Sequence, residues 1–188
     1  KYINIYIIYL FSCIGEVMSM SIYERPEYKV ILSEQPFEIR LYESFWIVEY
    51  SNETDPDILN GFGTLFRYIS SENQNRQKIN MTVPVIEEVL EGRMKMAFVV
   101  PKEHWNDIPQ PESKWLSLNK FESGLFGVIR YSGRSDKNKE NEMKHKLEEW
   151  LNENAYSAVD NYMLAFYNPP FTPPMLRRNE ILVRIKNK

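Results

Sequence analysis

Residues 42–51 read YESFWIVEYS and residues 121–132 read FESGLFGVIRYS, the same phrase with two residues inserted. Each copy is followed by a helical pattern and then by two strand-like runs. The chain therefore reads as a β-β-α-β-β unit used twice at a spacing of roughly 80 residues, longer than a solenoid repeat. Two such units can join their sheets into one curved barrel with a helix outside each half. Closure protects strand edges and leaves room inside for side chains or one small ligand. The expected fold is α+β: a distorted β-barrel from a duplicated β-β-α-β-β unit with two flanking helices. It forms one domain over residues 21–188, since no Gly/Ser-rich linker separates Pro101 from Trp115.

Working outward, FEIRLY alternates Phe37, Ile39 and Leu41 with Glu38, Arg40 and Tyr42, the period of a half-buried strand. DPDILNGFGTLFRYISSEN predicts the first helix, with Asp55 as cap, Pro56 in the first turn and Asp57 at the positive end. Its apolar arc runs through Ile58, Leu59, Phe62, Leu65, Phe66 and Ile69, with Phe62 near the middle and Leu59 and Phe66 at the edges. The middle of such an arc faces the sheet, while an edge can touch a ligand beside the helix. The second helix covers SDKNKENEMKHKLEEWLNEN, with Met143, Leu147, Trp150 and Leu151 on one stripe and His145 opposite.

The net charge is −3, and no basic stripe interrupts it, which argues against a nucleic-acid binder. The single cysteine, Cys13, permits no intrachain disulfide, and His104 and His145 fall in no metal-ligand spacing. KYINIYIIYLFSCIG is too short to span a bilayer comfortably. Residues 1–20 are expected to be a signal-like segment or an artefactual extension of the gene model. A start at Met18 or Met20 places the protein in the cytoplasm; the alternative is export or a lipid anchor on Cys13.

A second unusual stretch is YNPPFTPPMLRRNE, residues 167–180, which joins two strands by a loop of four prolines where a simple hairpin would use Asn-Gly. Fixed φ values stiffen it, so that Phe171 and Met175 form either a preset apolar wall or a lid on the core. Arg177 and Arg178 either bond an anionic ligand or hold the loop to the barrel.

FEIRLYE, YISSENQNRQKINMTVPV, MAFVVP and YNPPFTPPMLRRNEILVRI together resemble the SOUL haem-binding protein family, over about Tyr23 to Ile185. KINMTVPV and PPMLRRNEILV are the specific parts. The resemblance implies a distorted barrel with a pseudo-twofold repeat, so that residues 21–188 are a SOUL-like haem-binding domain. It also implies a tetrapyrrole carrier or buffer, with haem or a related porphyrin in an apolar groove beside the first helix. Counting back from YISSEN, the family's groove positions fall on Leu59, Phe62 and Phe66, and Leu59 replaces an arginine. Phe171, Met175 and Arg177 complete the candidate cofactor site, with no axial ligand assigned.

No Ser/His/Asp order, phosphate loop or metal cluster supports catalysis, and the chain is not expected to be an enzyme. Two alternatives remain: an effector-binding barrel for another flat apolar molecule, and an enzyme working through Glu43 or Glu122, which occupy equivalent places in the two units. A monomer without an integral membrane span is expected.

Overall fold

The computed structural model describes residues 23–54, 60–90 and 93–188. The strands are β1 (Tyr28–Glu34), β2 (Phe37–Tyr42), β3 (Phe45–Ser51), β4 (Val85–Leu90), β5 (Arg93–Val99), β6 (Leu116–Phe121), β7 (Gly124–Tyr131), β8 (Tyr156–Ala158), β9 (Met163–Phe166) and β10 (Asn179–Asn187). Helix α1 (Gly61–Ile69) lies between β3 and β4, and α2 (Lys137–Glu153) lies between β7 and β8. One antiparallel sheet runs β1-β2-β7-β10-β9-β4-β5-β3-β6, with β8 pairing β10 off that path. The sheet curls into a half-barrel with both helices against its outer side.

Leaving out the edge strand β1, that order reads the same backwards when β2, β3, β4 and β5 are exchanged for β6, β7, β9 and β10. The opening strand of each half leaves its own neighbour and pairs with the second strand of the other: Phe37 faces Ile129 across β2–β7, and Phe45 faces Phe121 across β3–β6. The two halves are thus interleaved. β8 was not foreseen in the sequence; its three residues pair with the end of β10, too short a run to show a period.

Strand alternation divides the apolar residues among three clusters. One packs α2 on the sheet through Met143, Leu147, Trp150 and Leu151 against Ile129, Ile181 and Val183. These are the helix residues read from the 3.6-residue stripe. Leu151 sits so close over β7 that a Cβ on Gly127 would lie 2.7 Å from its Cδ2, which explains the glycine. Asp136 caps α2 by accepting from the Lys139 amide at 2.9 Å. The second cluster packs Leu65, Tyr68 and Ile69 of α1 against Val48, Tyr50 and Phe98. The third fills the concave side with Phe45, Ile47, Phe126, Val128 and Leu182.

Phe62 corrects the sequence reading. It is not buried against the sheet but stands 44% exposed, touching it only through Phe98, and Phe66 stands 50% exposed. The buried arc of α1 is set by Gly61, Thr64, Leu65, Tyr68 and Ile69. Tyr68 fits this arc because its hydroxyl donates to the Pro109 carbonyl at 2.7 Å, which allows the ring to be buried. Counting Tyr68 rotates the stripe and leaves Phe62 and Phe66 on its open flank. The expected cap and first turn, Asp55 to Leu59, lie outside the described residues.

Interleaving predicts that cutting the chain between residues 105 and 112 and expressing the pieces separately leaves neither half with a cooperative melt. Trp150 predicts a second outcome. Its ring stacks on Phe37 with centroids 5.0 Å apart, and its Nε1 donates to Glu34 at 2.8 Å. Trp150→Ala should lower stability by about 3–5 kcal/mol in denaturant unfolding.

Candidate functional site

An apolar groove of about 300 Å³ lies along the open flank of α1. The helix supplies Phe62 and Phe66. The segment entering β4 supplies Met81, Val83 and Val85. The end of β9 and the proline loop supply Phe166 through Phe171, and Tyr23 closes one side. Phe62 and Phe66 are one helical turn apart, so their rings stack at 6.0 Å with planes 12° apart. Phe98 meets Phe62 edge-on from the core at 5.4 Å, which fixes the inner ring. The result is a flat aromatic surface facing an apolar wall on separate elements.

The proline loop forms that wall, and hydrogen bonds hold its shape. Arg177 donates from Nε to the Thr172 carbonyl at 2.8 Å and from Nη2 to the Pro170 carbonyl. The Arg178 amide donates to Asn168 Oδ1 at 2.6 Å, and the Gly133 amide to the Pro174 carbonyl at 2.9 Å. Arg177 therefore serves the groove through the loop's own carbonyls. Met175 stands outside the groove lining, and Leu59 lies outside the described residues. Phe62, Phe66 and Phe171 of the candidate set share the groove.

Both stems of the loop end on one buried carboxylate. Glu180, 1% exposed, receives Arg40 Nη1 at 2.7 Å and Nη2 at 3.0 Å, and Arg178 Nη2 at 2.7 Å. The Tyr167 hydroxyl donates to the same group at 3.0 Å. Burial opposes the charge on Glu180, but the guanidinium groups of Arg40 and Arg178 outweigh it and hold the carboxyl below its usual range. Burial, reinforced by the Glu180 charge, drives the Tyr167 phenol well above its ordinary value, so it remains a donor. On the helix side, buried Asn73 donates to the carbonyls of Tyr68 at 3.0 Å and Gln77 at 2.7 Å. It stitches the end of α1 to the segment carrying Met81, Val83 and Val85.

The sequence reading missed Tyr23, Met81, Val83, Val85 and Phe166 as groove residues. Met81, Val83 and Val85 alternate within KINMTVPV, and that alternation was the available signal. Nothing local to that stretch shows which face another loop leaves open.

A second hollow, of about 500 Å³, lies on the concave side of the sheet. Its floor is Ile47, Ile86, Ala97 and Phe126, and its rim is mixed in charge. Lys95 Nζ lies 3.2 Å from Glu49 and 4.0 Å from Glu88, while Arg184 donates to the carbonyls of Ser123 and Glu122 at 2.8 and 2.7 Å. Glu122 lines this hollow, whereas Glu43 lines a separate small cleft beside Trp105. The two candidate carboxylates are therefore not brought together. Burial, with the Glu140 charge nearby, raises Glu87 to about 7, but Glu87 lines neither hollow.

His104 is buried, with Nδ1 3.5 Å from Gln77 Nε2, and it lines neither hollow; His145 is exposed on α2 beside Glu148. Among the described residues no group of three His, Cys, Asp or Glu is placed to hold a metal ion, and no helix is long and apolar enough to cross a membrane.

The family model described as SOUL heme-binding protein matches residues 23–184 of this chain. Among solved structures, the EcmrR C-terminal domain is similar at TM-score 0.60 and 8% identity, over 86% of this chain and 99% of that one. A hydrolase from Listeria innocua is similar at TM-score 0.59 and 10% identity, over 83% of this chain and 94% of that one. At such identities the likeness is one of fold alone. No curated protein matches the sequence.

The buried charge cluster gives a stability prediction. Arg40→Ala removes one partner of a buried pair and should lower stability by about 3–5 kcal/mol. Because the folded value of Glu180 lies below its ordinary 4.5, the stability it lends is present above that pH and is lost as pH falls through the folded value. Thermal melts at descending pH should show a steeper acid loss in the parent than in Glu180→Gln.

Proposed function

We propose that this chain, which belongs to the SOUL heme-binding protein family, holds haem or a related porphyrin against the α1 groove as a tetrapyrrole carrier or buffer. The observation that carries the reading is the groove itself: a stacked aromatic pair on the helix facing a rigid apolar wall across a shallow opening. A flat macrocycle offers one face to Phe62 and Phe66 and an edge to Phe171. The volume is at the lower end for small-molecule sites, so much of the ligand stays in solvent and its acidic groups point outward. Exposure of that kind suits a protein that gives its ligand up.

The lining fits the macrocycle better than it fits the iron. None of the lining residues is a histidine, and the Tyr167 phenol is committed to Glu180. Met81 is the one lining sulfur among the described residues. Bound haem would supply iron chemistry of its own; this chain's residues bind and orient the ring. Laying one face on the groove removes on the order of 300 Å² of apolar surface from water, roughly 7 kcal/mol at about 25 cal/mol per Å². A micromolar complex needs about 8 kcal/mol net of association costs. Stacking on Phe66 adds about 1 kcal/mol, and the expected affinity is micromolar or weaker.

A second reading, an effector-type ligand in the concave hollow, is favoured by that hollow's larger volume over Phe126. The two readings separate in a spectrophotometric titration. In the porphyrin reading, Phe66→Asp weakens binding more than tenfold, while His104→Ala/His145→Ala binds nearly as the parent does. Metal-free porphyrin should bind within about tenfold of haem, a gap of roughly 1.4 kcal/mol. A Soret shift abolished by removing the histidines and untouched by Phe66→Asp would place the anchor on iron and reject the groove. Binding unchanged by both would favour the concave hollow.

A further inference from the structure

The groove continues onto an apolar tip that the porphyrin reading does not use. Phe171 is 87% exposed, Met175 79% and Leu176 68%. Exposed large apolar side chains are normal singly; three within six residues of one loop form a patch. They cannot fold back onto the core. Four prolines fix the loop's φ angles, and Arg177 bonds two of its carbonyls. Beside the tip, Arg177 and Arg134 have no carboxylate partner within ion-pair distance among the described residues. Arg134 follows Gly133, whose amide is bonded to the Pro174 carbonyl. The nearby Asp136 carboxylate caps α2 through Oδ1.

We infer that this tip is a lipid-docking wedge: Phe171, Met175 and Leu176 enter the boundary between headgroups and acyl chains of an anionic membrane, and Arg134 and Arg177 meet lipid phosphates. A lipid surface suits the tip better than a protein does. The side chains protrude, so a protein partner would need a matching cleft, whereas a bilayer interface accepts any apolar wedge. The exposed Arg134 and the Arg177 charge, which loop carbonyls bond but no carboxylate among the described residues neutralises, complement anionic headgroups, although the whole chain carries a net charge of −3. Attraction is therefore local to the tip and falls with salt. Phe171 belongs to both tip and groove, so a docked protein opens its groove at the level where a flat apolar ligand partitions. The inference rests on the porphyrin reading for its purpose but not for its geometry.

The test is flotation of the full chain with phosphatidylcholine vesicles, with and without about 30% phosphatidylglycerol. The expected result is binding that rises with the anionic lipid and falls at high salt. Phe171→Asp/Leu176→Asp should lower the vesicle partition coefficient at least tenfold, and Arg134→Gln two- to threefold. Leu176→Asp alone lies outside the groove lining; it should lower partition about threefold and leave the Soret titration within twofold of the parent. Thermal melts confirm that each variant is folded, and if the double variant is not, Leu176→Asp decides. Partition changed less than twofold by Leu176→Asp and by Phe171→Asp/Leu176→Asp overturns the inference while the porphyrin reading stands. So does concentration-dependent dimerisation of the parent that the same substitutions abolish, which would make a second copy the occupant. Vesicle binding lost as expected, in a parent that gives no saturable Soret shift, keeps the docking surface and rejects the porphyrin.

Discussion

Glu180 stands at the start of β10 with a full charge and almost no access to water. Such a group is tolerable only when its lone pairs are filled by donors of opposite charge. Arg40 comes from β2, Arg178 from the last residues of the proline loop, and Tyr167 from the end of β9. One carboxylate therefore fixes three things together: the place of β2 across β7 from β10, the exit of the loop, and its entry. Because the charge is buried, no rearrangement of the loop stems is cheap. The groove wall inherits that rigidity.

This arrangement explains why FEIRLYE and LRRNE occur in the same chain. They are 140 residues apart at Arg40 and Glu180 yet supply the two sides of one bidentate ion pair. The prolines and the charge cluster then do complementary work. Prolines narrow the loop's accessible conformations, and the cluster selects the one that faces α1. The opposite wall is organised by Asn73, a buried side chain that bonds three backbone groups between Tyr68 and Gln77. The groove thus rests on polar anchors placed behind it, while its own surface is left apolar.

The interleaved strand order has a consequence for the two hollows. Since β2 joins β7 and β3 joins β6, neither half contains a complete sheet, and the concave side belongs to both. Its rim carries Glu49, Glu88, Lys95 and Arg184, largely engaged with one another or with backbone carbonyls. The α1 groove is instead formed where the first half's helix meets the second half's loop. An apolar ligand gains from desolvation there without displacing paired charges, which is the physical reason for preferring it.

Much of this was legible in the sequence. The repeated YES and FES phrases and the periods of two and 3.6 residues announced a curled α+β sheet with two outer helices. The Met143–Leu147–Trp150–Leu151 stripe was correct because helix periodicity is a local property of the chain. Phe66, at the edge of a stripe, and Phe171, on the stiff proline loop, are sequence candidates that line the groove. What the sequence could not decide was which partners meet. Phe62 turned outward because Tyr68, with a carbonyl available at Pro109, took the buried arc. Arg177 was drawn to its own loop, and Arg178 to Glu180. Met81, Val83 and Val85 became groove residues only because a loop some 85 residues later leaves their face open. Propensity and period act over a few residues, whereas burial and hydrogen-bond partners are set by tertiary neighbours. That is why the elements were readable in advance and the site had to await the structure.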